Sequence, residues 1–172
     1  MLTGFQYRAG KAILSFTAKE IAKNIDLHEA TLVRLGKTPN LDYLQCHTKN
    51  IISLKLFFEE NNIVFPNKDS IKYSPNKNLT INKNKITRFQ LVCARIATGL
   101  TQQKLANQVR VSSGTISLLE NLENQEIVYS RKLDSFLLKA FFERLGIEFN
   151  DDFTVTLKKD PSFFFNKCKN VN

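Results

Sequence analysis

A chain of 172 residues, 42% apolar and with a net charge of +9, has room for one ordinary domain or two small ones and favours a polyanionic partner. No window of about 18 apolar residues occurs, which excludes a membrane-spanning helix, and the start MLTGFQYRAGK lacks the basic-then-apolar order of a secretory signal. Cys46, Cys93 and Cys168 are odd in number and widely spaced. Reduced thiols in a cytoplasmic protein are therefore expected, with neither a disulfide framework nor a zinc pattern.

Thr3 is placed to cap a helix that carries Phe5, Ala9, Ala12 and Ile13 on one face and runs to about Leu14. Thr17 caps a second, with Ile21, Ala22 and Ile25 inward. After Asp26-Leu27 a third helix, from about His28, turns Leu32 and Leu35 inward. Residues 37–48 are polar, with Leu41, Tyr43 and Leu44 as anchors, and predict a loop holding at most one short helix. A long helix over about 49–61 is expected to bury Ile52, Leu56 and Phe57. Residues 63–65 and 71–73 alternate across the polar turn 66–69 and predict a β-hairpin. The polar, helix-poor run SPNKNLTINKNK over 74–85 is the natural linker.

Beyond the linker the same plan returns 84 positions later. Phe5 falls on Phe89, Gln6 on Gln90, Thr17 on Thr101, Ala22 on Ala106, Thr31 on Thr115 and Leu35 on Leu119. The register holds downstream without a gap, where Phe57, Phe58, Glu59 and Ile63 meet Phe141, Phe142, Glu143 and Ile147. Roughly a quarter of the positions from Thr3 to Phe65 match their partners, the mark of a tandem duplication. Charge divides in the same way. The part up to Asn82 holds 11 basic and 7 acidic residues and the rest 14 and 9, leaving +4 and +5, as two similar basic units would.

In the second copy, residues 121–130 form the loop, anchored by Ile127 and Val128, and a helix over 132–145 is expected to bury Phe136, Ala140 and Phe141. Residues 147–149 and 153–157 form the second hairpin around 150–152, where Asp151-Asp152 read as a turn. A hairpin with an open edge needs a partner, so the two hairpins are expected to pair with each other or with a second chain. In the tail, Phe163, Phe164 and Phe165 lie among Lys158, Lys159, Lys167 and Lys169. These aromatics are expected to pack on the second domain, a DNA-backbone arm or a partner-binding segment being the alternatives.

The most informative stretch is TQQKLANQVRVSSGTISLLE, residues 101–120. Thr101 and Ser112 are N-caps, Leu105, Ala106 and Val109 share a face, Ile116 and Leu119 answer them, and only 109–111 remain for the turn. Thr101-Gln102, Leu105-Ala106, Val109, Ser112, Thr115-Ile116 and Leu119-Glu120 resemble the Cro/C1 (XRE-type) family of bacterial and phage DNA-binding domains. Arg110 stands where that family usually has Gly. A left-handed residue there costs about 1 kcal/mol, so the turn is expected to be distorted rather than lost. The resemblance implies a mainly α fold with small β-hairpins: two tandem lambda-repressor-like helix-turn-helix domains, each of four to five helices followed by a hairpin. The domains span 1–73 and 86–158, with a linker at 74–85 and a basic aromatic tail at 159–172.

It also implies a sequence-specific regulator of transcription that binds double-stranded DNA, with the second helix of each motif in the major groove. In the second copy Gln102 is expected on a phosphate and Ser113, Gly114, Ser117 and Leu118 at the base edges, a sparse set of readers, with Ser112 and Thr115 also among the DNA-binding residues. The corresponding candidates of the first copy are Lys19, His28, Glu29, Ala30, Thr31, Val33 and Arg34. Arg34 is the best placed for a bidentate guanine contact, worth about 1–3 kcal/mol. The family match is weaker here, since Ala18 replaces the Gln and Gly36 the terminal Glu. A structural ion pair between Arg95 and Glu120 is implied in the second copy, and Lys11 is left without an acid opposite.

The alternative function is a protein-interaction module, antiactivator or antitoxin-like, gripping another transcription regulator or RNA polymerase; a nonspecific nucleoid protein is a third. A homodimer through the hairpins is a further possible partner, and no membrane is expected. No GxSxG, Walker-type loop or HExxH occurs, and Cys46-His47 supplies two metal ligands at most. Neither enzymatic activity nor a metal or other cofactor is expected.

Overall fold

The computed structural model describes residues 1–75, 85–150 and 153–166. About half of the chain is helical, and a small four-stranded antiparallel sheet completes a mainly α fold. The first half runs α1 (Gly4–Ile13), α2 (Ala18–Asn24), α3 (Glu29–Leu35), α4 (Thr48–Glu60), β1 (Ile63–Val64) and β2 (Ser70–Tyr73). The second runs α5 (Arg88–Thr98), α6 (Gln102–Gln108), α7 (Ser113–Glu120), α8 (Ser135–Arg144), β3 (Ile147–Asn150) and β4 (Thr154–Leu157), and a short α9 (Phe163–Asn166) follows.

Local chemistry sets these boundaries in matched pairs. Thr3 and Thr87 each close a capping box, with Gln6 and Gln90 returning a side-chain bond to the cap nitrogen at 3.0 Å. Positive φ recurs at three equivalent turns: Ser15 and Gly99, Asp26 and Arg110, Asn62 and Gly146. The loop after each third helix is stitched back to the first helix of its own half in the same way, Gly4 N to Asp42 O and Arg88 N to Glu126 O, at 3.0 and 2.9 Å. These loops, 36–47 and 121–134, contain no helix. Helix α8 starts at Ser135, three residues later than the sequence reading, because Asp134 is its cap and bonds Phe136 N at 2.8 Å.

The strands lie in the order β1-β2-β4-β3, and β2 pairs with β4 antiparallel, with Ile71 opposite Val155. Each hairpin therefore supplies the edge the other needs, and Ser70 Oγ and Thr156 Oγ1 meet across the junction at 2.8 Å. Helix α1 packs on α5 beneath this sheet. Phe5, Phe58, Phe89, Phe142, Ile71 and Val155 belong to one continuous buried cluster, so the two halves share a core. The linker reading at 76–84 and the Asp151-Asp152 turn lie outside the described residues.

The fourth helices depart from the expected packing. Ile52 and Leu56 are 54% and 52% exposed, Phe136 is 56% exposed, and Ala140 and Phe141 are only half-buried. Leu54, Phe57 and Phe58 are buried on α4 and Leu138 and Phe142 on α8. Each helix is rolled so that its buried stripe serves the sheet and the neighbouring first helix, which periodicity within one helix could not specify. No helix among the described residues is long and apolar enough to cross a membrane.

Candidate nucleic-acid interface

Helices α6 and α7 form a closed unit. Thr101 Oγ1 accepts from Lys104 N at 3.2 Å, Ser112 Oγ accepts from Thr115 N at 3.1 Å, and Leu105, Ala106 and Ile116 are fully buried between them. The turn between the helices is not distorted. Arg110 takes the left-handed conformation at φ 56°, and Val111 N closes on Ala106 O at 3.0 Å. The first half does the same with Asp26 at φ 50° and Leu27 N on Ala22 O at 3.1 Å. The backbone meets the steric demand with a polar residue in both copies.

What holds α7 is a buried charge network. Glu120, 7% exposed, accepts from Arg95 Nε at 2.5 Å and Nη2 at 2.8 Å, and from Gln102 Nε2 at 2.8 Å. The expected Arg95–Glu120 pair is present and bidentate. Gln102, expected on a phosphate, spends an amide hydrogen on Glu120. Its role inside the molecule is to tie the start of α6 to the end of α7.

In the first half all three members are replaced, by Lys11, Ala18 and Gly36. The end of α3 is held by Arg8, which donates to Gly36 O at 3.1 Å, to Thr38 O and to Asn40 Oδ1 at 2.5 Å. Arg88 does the same for α7 from a different helix position. It donates to Glu120 O at 2.9 Å, to Asn124 Oδ1, and across the interface to Ile13 O at 2.8 Å. Burial lowers the pKa of both guanidiniums from the usual arginine value, Asp160 opposing this at Arg8 and Glu120 at Arg88. Asn40 returns the interface bond, donating to Ala97 O at 2.8 Å and to Asp160 Oδ1 at 2.6 Å. Sequence reasoning missed these arginines, because no local spacing links Arg8 to Gly36.

The outward faces differ. On α6 and α7 the chain shows Gln103, Lys104, Asn107, Gly114 and Leu118, with Ser113, Thr115 and Ser117 half-buried. From 101 to 119 there is no carboxylate, and Lys104 and Arg110 are exposed cations. Ser112 and Thr115 bond each other at 2.9 Å as part of the cap, and Leu118 is 72% exposed. On α2 and α3, Lys19, His28, Glu29, Ala30, Val33 and Arg34 are exposed and Thr31 is half-buried, while Glu20, Asp26 and Glu29 offset the cations.

Glu20 has a specific place. Its carboxylate accepts from Thr17 N and Thr17 Oγ1, both at 2.7 Å, closing a capping box at the start of α2. The Thr17 amide, then its hydroxyl, hold the Glu20 pKa below the ordinary glutamate value. The T-x-x-E spacing was the available signal for it. Arg34 reaches back to Gln45 O at 3.1 Å, over an open cleft of about 530 Å³ that Lys37 and Tyr43 also line. The loop following α7 carries Glu123 and Glu126 instead.

In the tail, Phe163 and Phe164 are exposed, contrary to expectation, and Lys159 stacks over Phe164 with Nζ 4.8 Å from the ring centre. Phe165 alone is half-buried, beside Leu100 and Lys104. Burial pushes the Cys93 thiol well above its usual pKa, which makes it inert core. No group of three His, Cys, Asp or Glu side chains that could hold a metal stands among the described residues. Compared with protein-family models, curated proteins and solved structures, the chain finds no significant match.

Proposed function

We propose that this chain is a sequence-specific regulator of transcription that binds double-stranded DNA through tandem helix-turn-helix units of the lambda-repressor-like kind, with α6–α7 as the principal reader. The observation that carries the reading is the acid-free outward face of α6–α7, its cations at Lys104 and Arg110, on a helix pair locked by Arg95, Glu120 and Gln102. A rigid, cationic pair of helices with small hydroxyl residues facing out suits a major groove, where phosphate contacts position and base contacts specify. With Ser113, Gly114 and Ser117 as readers, base discrimination is modest and affinity depends strongly on salt. If α3 also engages, the two reading helices occupy successive grooves about 34 Å apart and the site is not palindromic.

Selection of bound fragments from a random duplex pool, followed by fluorescence anisotropy over a salt series, tests the reading. Lys104→Ala is expected to reduce the salt slope by about one unit and weaken all sequences alike, whereas Ser113→Ala changes base preference. Absence of duplex binding at low salt overturns it. The acids at Glu20, Asp26 and Glu29 favour a second role for the first half, contact with another regulator or with RNA polymerase.

A further inference from the structure

The fourth helices leave two equivalent grooves of opposite charge. One lies between the α2–α3 turn and α4, lined by Ile25, Leu56 and Phe57 with Lys23, Asp26 and Glu60. The other, about 250 Å³, lies between the α6–α7 turn and α8, lined by Val109, Leu133, Leu137 and Phe141 with Arg110 and Lys132. The 84-residue offset places Asp26 on Arg110 and Glu60 on Arg144, so both acids of the first groove correspond to arginines, Arg110 lining the second groove and Arg144 exposed at the end of α8. Asp134, also at the second groove, is engaged as the cap of α8. Ser53 of the first becomes Leu137 in the second, making the second groove the more apolar.

The apolar side chains beside these grooves stand out from the surface. Ile52 and Leu56 are one helical turn apart on α4 and each more than half exposed, and Leu137 is 63% exposed on the rim of the second groove. Adjacent exposed apolar residues flanked by charge mark an interaction surface, and an i, i+4 pair is the pattern a helix uses to enter a groove. The charges say which groove. Asp26 and Glu60 outweigh Lys23 beside the α4 ridge, whereas Arg110 and Lys132 line the α8 groove and Arg144 is exposed on α8 three residues beyond Phe141.

We propose that the occupant of the α8 groove is the α4 ridge of a second copy of this chain, with Ile52 and Leu56 seated on Val109, Leu137 and Phe141 and Glu60 facing Arg110 and Arg144. The contact is head-to-tail, because the ridge and groove are different surfaces of one molecule. It leaves one ridge and one groove unused in each pair and extends the assembly beyond a dimer unless it closes as a ring. It draws on Arg110, which the proposed DNA face also uses, so its test is made without DNA.

Sedimentation velocity of the purified full chain, without DNA and over a wide concentration range, tests it. Weight-average mass is expected to rise above the 19.7 kDa monomer with concentration. Leu56→Asp or Leu137→Asp is expected to abolish the rise while leaving the far-ultraviolet circular dichroism and thermal transition unchanged, as both side chains are exposed. Glu60→Arg or Arg144→Glu alone is expected to weaken association about tenfold, and the double exchange to restore most of it. A wild-type monomer at every concentration, association that survives both aspartate variants, or a double exchange no better than the single ones overturns the proposal.

Discussion

The two halves of this protein solve one structural problem twice, with different residues. In the second half the third helix is held by a buried carboxylate, Glu120, that receives Arg95 and Gln102. In the first half that network is absent, and the end of α3 is held by Arg8 on backbone carbonyls, a contact that Arg88 adds to the network in the second half. The lesson concerns coupling. Removing Glu120 alone would leave the Arg95 charge largely buried without its acid. Arg8 and Arg88 reach equivalent targets from non-equivalent helix positions. Gly4 stands where Arg88 stands in the other half, and a side chain at Gly4 would run into the carbonyls of Thr38 and Pro39.

The strongest way to break the comparison is through the shared core. Phe58 and Phe142 are equivalent and fully buried, so each change to alanine is expected to cost about 3–5 kcal/mol. Because the buried cluster is continuous, both variants should still unfold in one transition, read by calorimetry. Two separate transitions would mean that the halves are thermodynamically independent.

Next in size is the network itself. Glu120→Ala is expected to cost about 3 kcal/mol in a urea melt, since it strands a largely buried Arg95. Adding Arg95→Ala should recover part of that loss, which a pure packing role for Glu120 would not allow.

Smaller effects are expected at the left-handed turns. Gly99→Ser should destabilise by about 1 kcal/mol, and Ser15→Gly should stabilise by up to about the same amount, because the two are equivalent with φ 70° and 56°.

The smallest effect is at Glu20, which is fully exposed. A carbon-detected titration should place its carboxyl midpoint below the ordinary glutamate value of about 4.3. Its folded pKa is depressed, so the stability it contributes is present above the ordinary value and is lost as pH falls through the lowered one. Lys104 occupies the equivalent position in the second half, which therefore lacks this titration.

The paired caps at Thr3 and Thr87, the element order and its return after 84 positions were determined by sequence alone, since periodicity and capping are local and a repeat compares the chain with itself, while the Arg95–Glu120 pair was implied by the resemblance. Tertiary structure decided which face each fourth helix buries, leaving Ile52, Leu56 and Phe136 exposed. It also turned Gln102 inward, set Arg8 and Arg88 at the ends of the third helices, and joined β2 to β4. Each of these depends on what lies across a contact between distant segments. An amphipathic pattern shows that a helix has an apolar stripe; only its neighbours select which part of that stripe is covered.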